Sequence, residues 1–149
     1  INSDYIGCVD DTCLATGELL PVKDTPFDFN KRKRIGQDLE ADHIQLKNAF
    51  GYDHSFVLND TENQLTLEEP VSGRRLIIST TAPVVQVYTG NFLKDGCIGK
   101  AGRVYENREG VALETQLMPN AINTEENPST ILRKGDKFES NTKYVFEII

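Results

Sequence analysis

The chain has 149 residues, of which 38% are hydrophobic and 26% are charged, and its formal net charge is −7. A chain of this length and hydrophobic content can bury a core, so these numbers predict a folded domain and exclude an intrinsically disordered chain. The negative charge excludes a partner held mainly by phosphate contacts, so no nucleic acid is expected, and no apolar stretch approaches the roughly 20 residues that span a membrane.

Short apolar segments that alternate with polar residues between turn signals predict a mainly antiparallel β protein. The predicted strands are, in chain order, residues 56–58, 64–67, 75–79, 84–88, 110–116 and 144–148. Residues 35–39 predict one short helical turn, because Ile35 and Leu39 share a helix face, although Gly36 weakens it. Ser72 and Gly73 lie where a hairpin turn is needed. No repeat or linker divides the chain, so residues 1–149 are expected to belong to one domain.

Two of the predicted strands carry polar side chains on one face. Since alternate residues of a strand point the same way, Glu114 and Gln116 share a face, and Gln86 and Tyr88 share another. Carboxylates, amides and aromatic rings together can bind the hydroxyl groups of a sugar. On pattern alone such a glutamate more often belongs to a solvated surface, so both interpretations stay open.

The three cysteines, Cys8, Cys13 and Cys97, form no C-x-x-C pair and favour neither a disulfide framework nor a zinc site. Reduced thiols and a cytoplasmic location are therefore expected. The basic residues 31–34 are interpreted as solvated surface, which is the usual role of a short charge run.

A series of short motifs spans nearly the whole chain. They are V-D-D-T at 9–12, T-G-E at 16–18, P-F-D-F at 26–29, G-Y-D-H at 51–54, T-A-P at 81–83, Q-V-Y-T-G-N-F at 86–92, L-E-T-Q at 113–116, P-N-A-I-N at 119–123 and L-R-K-G at 132–135. Each motif alone is unspecific. In this order and spacing, the set resembles the C-terminal half of the galactose mutarotase (aldose 1-epimerase) family.

The resemblance implies an all-β fold, an antiparallel β-supersandwich of large sheets with the sugar in an open cleft on one face. Residues 1–149 would form the C-terminal part of that single domain, and an upstream half would be absent from this sequence. The chain begins at Ile1 and its only methionine is Met118, so we expect that residues upstream have been removed or omitted.

The resemblance also implies the chemistry, which is the interconversion of the α and β anomers of free aldohexoses such as galactose and glucose. The glutamate of L-E-T-Q, here Glu114, would take the proton from the anomeric hydroxyl. Asp53 and Gln86 would bind sugar hydroxyls, with no metal ion and no cofactor. The family's acid is a histidine of an H-x-Y-F-N segment in the first half, so this chain alone is expected to be inactive. Neither His43 nor His54 lies in such a motif, and His54 should point away from Asp53.

Two alternatives remain open on the sequence. A carbohydrate-binding or regulatory protein without catalysis could have the same fold, because fold does not determine function. An epimerase-like enzyme for a phosphorylated hexose would need arginines in the cleft, for which Arg103 and Arg108 are candidates without a supporting motif. The P-N-A-I-N segment departs from the family's P-D-A-x-N, which weakens any role for Asn120 and leaves Glu114 unaffected.

Overall fold

A computed structural model of the chain describes residues 1–60, 62–93, 98–124 and 130–149. Across these ranges the strands are β1 (Ser3–Val9), β2 (Ala15–Pro21), β3 (Asp53–Leu58), β4 (Leu65–Glu69), β5 (Arg74–Thr80), β6 (Val84–Tyr88), β7 (Ala112–Gln116) and β8 (Thr142–Ile148). The helical elements described are one α-helix, α1 (Ile44–Asn48), and two single 3₁₀ turns, Ile35–Gln37 and Ala121–Asn123. No helix among the described residues is both long and apolar enough to cross a membrane.

The strands form two antiparallel sheets. The first sheet has the order β2-β1-β3-β6-β7, and the second has the order β4-β5-β8. Every strand pair in both sheets is antiparallel. The predicted all-β antiparallel fold is therefore confirmed.

The hydrophobic core lies between the two sheets and beneath the loop that follows β2. Ile6 and Phe56 of the first sheet and Ile78 of the second join Phe27 and Tyr52 in one buried cluster. The Phe27 and Tyr52 rings meet edge to face, with centroids 5.4 Å apart. Burying each such side chain stabilises the fold by about 1.5–3 kcal/mol relative to its exposure in the unfolded chain.

The strand predictions succeed where alternation is strong and fail where it is interrupted. The predicted strand 84–88 coincides with β6, and the other five predicted strands overlap β3, β4, β5, β7 and β8 with shifted ends. β1 and β2 were not predicted, since Gly7 and Asp4 weaken the first pattern and Gly17 and Pro21 weaken the second. The two strands pair with each other, and β1 also pairs with β3, so sheet formation stabilises both.

The predicted turns are also found. Gly73 adopts φ +68° at the hairpin between β4 and β5, and a Cβ there would meet the Ile149 carbonyl oxygen at 2.7 Å. The predicted helical turn at 35–39 is the 3₁₀ turn Ile35–Gln37, whereas α1 was not predicted.

One part of the inward face of the second sheet is uncovered. Tyr144 and Phe146 of β8 pair directly with Ile78 and Leu76 of β5, so they share the face that Ile78 turns toward the core. Phe146 is nevertheless 78% exposed. A groove of about 1340 Å³ lies beside the core, lined by apolar residues of both sheets that include Leu67, Val87 and Leu113, and by Val111 just before β7. Tyr144 and Phe146 therefore leave apolar surface exposed on the inward face of the second sheet.

Candidate functional site

The outward face of the first sheet carries the polar residues that the sequence singles out. Along β3, His54 and Phe56 point into the core and have no exposed surface. Asp53, Ser55 and Val57 therefore point to the opposite side, because successive side chains of a strand alternate. The same alternation turns Val85 and Val87 of β6 inward and Gln86 outward.

Strand register brings three outward polar residues into one row. Ser55 of β3 pairs directly with Gln86 of β6, and Gln86 pairs directly with Glu114 of β7. Directly opposed residues have their Cβ atoms about 4.5–5.5 Å apart on the same face. Asp53 lies two residues before Ser55 on β3 and shares its face. Its Oδ1 accepts a hydrogen bond of 2.6 Å from Gln86 Nε2.

Glu114, Asp53 and Gln86 differ in exposure and in the hydrogen bonds they already make, so each could make a different contact with a ligand. Glu114 is exposed, and its carboxylate makes no hydrogen bond within the described parts of the chain. Asp53 is half-buried, with one oxygen held by Gln86. The structure thus brings Glu114, Asp53 and Gln86 together on one face, and a bound polyol there would meet a free carboxylate, a fixed carboxylate and an amide donor.

The turn after β6 holds the ends of β3 and β6 in place. The backbone N–H of Tyr52 donates to the Thr89 hydroxyl at 3.2 Å, and Asn91 Nδ2 donates to the carbonyl oxygens of Ala49 at 2.9 Å and Tyr52 at 3.0 Å. Gly51 has φ +141°, and a Cβ there would lie 2.4 Å from Asn91 Oδ1. The G-Y-D-H and T-G-N motifs are therefore hydrogen-bonded to each other, and these bonds fix the position of Asp53 at the start of β3.

The segment after β7 closes one end of this face. Met118 and Ala121 are buried against Val84, and Met118 lies over Gly7 of β1. Asn120 Nδ2 donates to the Ala15 carbonyl oxygen at 3.3 Å. An aspartate carboxylate is only an acceptor and could not make this bond, so the asparagine in P-N-A-I-N ties the segment to β2.

Tyr88 borders the other end of the outward face. It pairs directly with Asp53, and its hydroxyl accepts a hydrogen bond of 2.9 Å from the Phe92 backbone N–H. Its ring therefore reaches from the sheet to the loop after β6 and bounds the row of polar groups there.

Both histidines have structural surroundings. His54 Nδ1 accepts from the Asp53 backbone N–H at 3.1 Å, its Nε2 has no partner among the described residues, and its ring lies 4.7 Å from the Phe27 ring. Burial, with a smaller contribution from His43, lowers the pKa of His54 to about 3. His43 Nδ1 accepts from the Gln45 backbone N–H at the start of α1. The expectation that His54 points away from Asp53 is confirmed.

The remaining candidates lie outside the row of polar groups. Arg103 pairs with Glu109, and Arg108 pairs with Glu40. No group of three metal-binding side chains occurs within the described ranges. Cys8 and Cys13 are free thiols, and Cys97 lies outside the described residues.

The sequence analysis interprets basic residues 31–34 as solvated surface, but Lys33 of this segment is largely buried. Lys33 has a side chain only 11% exposed, bonds to Asp38 at 2.8 Å and lies 4.4 Å from the centre of the Phe29 ring. Arg32 pairs with Glu68 at 2.8 Å. The Lys33 ammonium group lies over the Phe29 ring and also donates to the Pro26 carbonyl oxygen, and this cation–π contact and hydrogen bond explain the difference.

One member of the polar row was missed by the sequence analysis. Ser55 donates its hydroxyl hydrogen to Gln86 Oε1 and is 3% exposed. The available signal was its spacing, because a residue two positions after Asp53 in a strand shares the face of Asp53.

Comparison with known proteins identifies relatives of this chain. The family model described as Aldose 1-epimerase matches residues 1–145. Galactose mutarotase of Sus scrofa is 38% identical over 99% of this chain and 43% of its own length. Aldose 1-epimerase of Haemophilus influenzae is 34% identical over 99% of this chain and 44% of its own length. The chain thus spans less than half the length of the curated relatives it matches.

Solved structures agree with this result. A GalM/aldose epimerase homologue from C. elegans superposes with a TM-score of 0.81 at 28% identity, covering 100% of this chain and 45% of that structure. Galactose 1-epimerase from Lactobacillus acidophilus has a TM-score of 0.74 at 30% identity, covering 99% of this chain and 42% of that structure.

Proposed function

Since this chain belongs to the aldose 1-epimerase family, we propose that the complete protein interconverts the α and β anomers of free aldohexoses such as galactose and glucose. The observation that carries the proposal is the outward row on the first sheet, where an exposed Glu114 lies opposite a Gln86 that is bonded to Asp53. A base beside fixed sugar-binding groups is what anomer exchange requires.

The proposed mechanism opens and recloses the sugar ring. Glu114 takes the proton of the anomeric hydroxyl, the bond between C1 and the ring oxygen breaks as the C1 carbonyl forms, and an acid protonates the ring oxygen. Rotation of the open aldehyde and the reverse steps then give the other anomer. Asp53 accepts hydrogen bonds from sugar hydroxyls, and Gln86 donates to a sugar oxygen, so both hold the ring while C1 reacts.

The acid would come from outside this chain. His54 is buried on the opposite side of the sheet. His43 caps α1, and its ring meets the buried core ring of Phe27 at 5.4 Å, so it too packs away from the outward face. We propose a histidine of an upstream half as the acid, with residues 1–149 as the C-terminal part of one domain. The uncovered apolar side chains around Phe146 and the greater length of the relatives support this arrangement. The 149-residue chain alone would then be inactive. We propose a cytoplasmic location for the complete protein.

Polarimetry tests this function directly. The complete protein should accelerate the approach of freshly dissolved α-D-galactose to its equilibrium rotation, and the 149-residue piece should not exceed the buffer rate. Acceleration by the piece alone would show that the chain contains its own acid.

A sugar-binding protein without catalysis is the second candidate, favoured by the absence of a histidine from the outward face among the described residues. In that case calorimetry would detect galactose binding to the complete protein, while polarimetry would show no acceleration.

A further inference from the structure

The Gln86 amide is held at both ends. Its Nε2 donates to Asp53 Oδ1 at 2.6 Å, and its Oε1 accepts the hydroxyl hydrogen of Ser55. A carboxylate accepts hydrogen bonds and cannot donate them, so Asp53 requires the NH₂ group of the amide on its side. The Ser55 hydroxyl donates to the amide oxygen on the other side.

Ser55 is placed to act on Gln86 and not on a ligand. The residue is 3% exposed, and Met118 lies over the neighbouring Gly7. A Cβ added at Gly7 would be 3.8 Å from the Ser55 Cβ and 3.1 Å from Met118 Sδ, so this side of Ser55 is closely packed. The only hydrogen bond described for the Ser55 hydroxyl is the one to Gln86.

We infer that Ser55 is a positioning residue, which holds the Gln86 amide oxygen down against β3 and thereby presents the second N–H of Gln86 to the sugar. This inference rests on the proposed function. The free N–H of Gln86 is a donor, so the sugar atom that it meets is an oxygen accepting a hydrogen bond. Without the serine, the amide would keep one anchor, at Asp53, and could rotate away from the sugar.

A double-mutant cycle in the complete protein tests the inference, using Ser55→Ala, Gln86→Ala and the combined variant. The dissociation constant of galactose is measured by calorimetry, and KM and kcat by polarimetry. Loss of one neutral hydrogen bond predicts that Ser55→Ala weakens galactose binding by about two- to tenfold. The loss should appear in KM while kcat changes less, because Gln86 binds the sugar throughout the reaction.

The coupling between the two residues decides the outcome. In the Gln86→Ala background, Ser55→Ala should have no further effect on binding or KM. An equal loss in both backgrounds, or no loss beside the native Gln86, would overturn the inference. Ser3→Ala is the matched control, since Ser3 is a buried β1 serine whose hydroxyl donates to the Tyr5 carbonyl oxygen at 2.8 Å, and it should leave galactose binding unchanged.

Two further measurements keep the result interpretable. Should Ser55→Ala fail to fold, as thermal unfolding would show, Ser55→Cys retains nearly the same size and a weak donor, and its smaller loss should also vanish without Gln86. If the unmodified protein neither binds galactose nor accelerates its mutarotation, both the proposed function and this inference are wrong. If it does both and the cycle shows no coupling, only the role of Ser55 is wrong.

Discussion

The two faces of the first sheet are built from the same strands but hold different kinds of residues. On the outward face, Asp53, Ser55 and Gln86 bond to one another beside an exposed Glu114. On the inward face, His54 has a buried nitrogen with no partner in the described chain and is packed among aromatic rings. Alternation of side chains therefore separates candidate catalytic groups from packing groups, and changes on the two faces should have separable effects.

The largest effect is expected on the outward face, from Glu114→Gln in the complete protein. General-base catalysis contributes about 10²–10⁴-fold to the rate, so kcat should fall by about 10²-fold or more. Galactose affinity should change much less. The unfolding temperature should stay the same, because Glu114 is exposed and makes no hydrogen bond within the described ranges. Polarimetry and thermal unfolding measure the two quantities, and a near-normal kcat would assign the proton transfer to another group.

The matching change on the inward face is Phe56→Ala. Phe56 has no exposed surface and lies against Phe27 and Phe29, with ring centroids 6.4 Å and 6.0 Å away. Replacing it should lower the free energy of unfolding by about 3–5 kcal/mol. Well below the unfolding temperature, kcat should remain near the native value. A loss of kcat without a loss of stability would break the separation between the faces.

The uncovered side of the second sheet allows a related test. If an upstream half buries the Phe146 ring, Phe146→Ala should lower the free energy of unfolding of the complete protein by about 3 kcal/mol. If the ring stays as exposed as it is in this chain, the loss should be no more than about 0.5 kcal/mol. We expect the larger value, because the 78% exposed ring shares the inward face of Ile78. Denaturant unfolding of the complete protein measures the difference.

Asp53→Asn should have a moderate effect on the outward face. Removing the charge from a hydrogen-bonding carboxylate should weaken galactose binding by about 1.5–3 kcal/mol, and kcat should fall far less than in Glu114→Gln. Calorimetry gives the affinity and polarimetry gives kcat. If this variant lost kcat as severely as Glu114→Gln, the assignment of Glu114 as the base would be in doubt.

On the inward face a pH effect is also expected. The folded pKa of His54 is lowered to about 3 from 6.5, so below pH 6.5 the unfolded chain binds a proton at this site that the folded chain does not. Stability from this site is complete above pH 6.5 and is lost as pH falls toward 3, with a slope of up to about 1.4 kcal/mol per pH unit. Urea unfolding between pH 7 and pH 5 should show a shallower slope for His54→Leu than for the native protein. Equal slopes would show that the pKa of His54 is the same in the folded and the unfolded protein.

The sequence by itself determined that the fold is antiparallel β and which polar side chains share a strand face. Strand 84–88 is predicted with its observed ends, and the period of two places Gln86 on the face opposite the buried Val85 and Val87. The ordered motifs indicated the family and selected Glu114, Asp53 and Gln86. Such features are local, because side-chain alternation and motif spacing need no knowledge of which strands become neighbours.

The tertiary structure decided which strands lie side by side and what their polar atoms bond to. Ser55 and Gln86 are 31 residues apart, and only the register between β3 and β6 brings the serine hydroxyl to the amide oxygen. β1 and β2 form despite Gly7 and Gly17, since pairing and burial override weak local preference. The register of non-local strands depends on the packing of the whole core, and no local pattern along the chain encodes it.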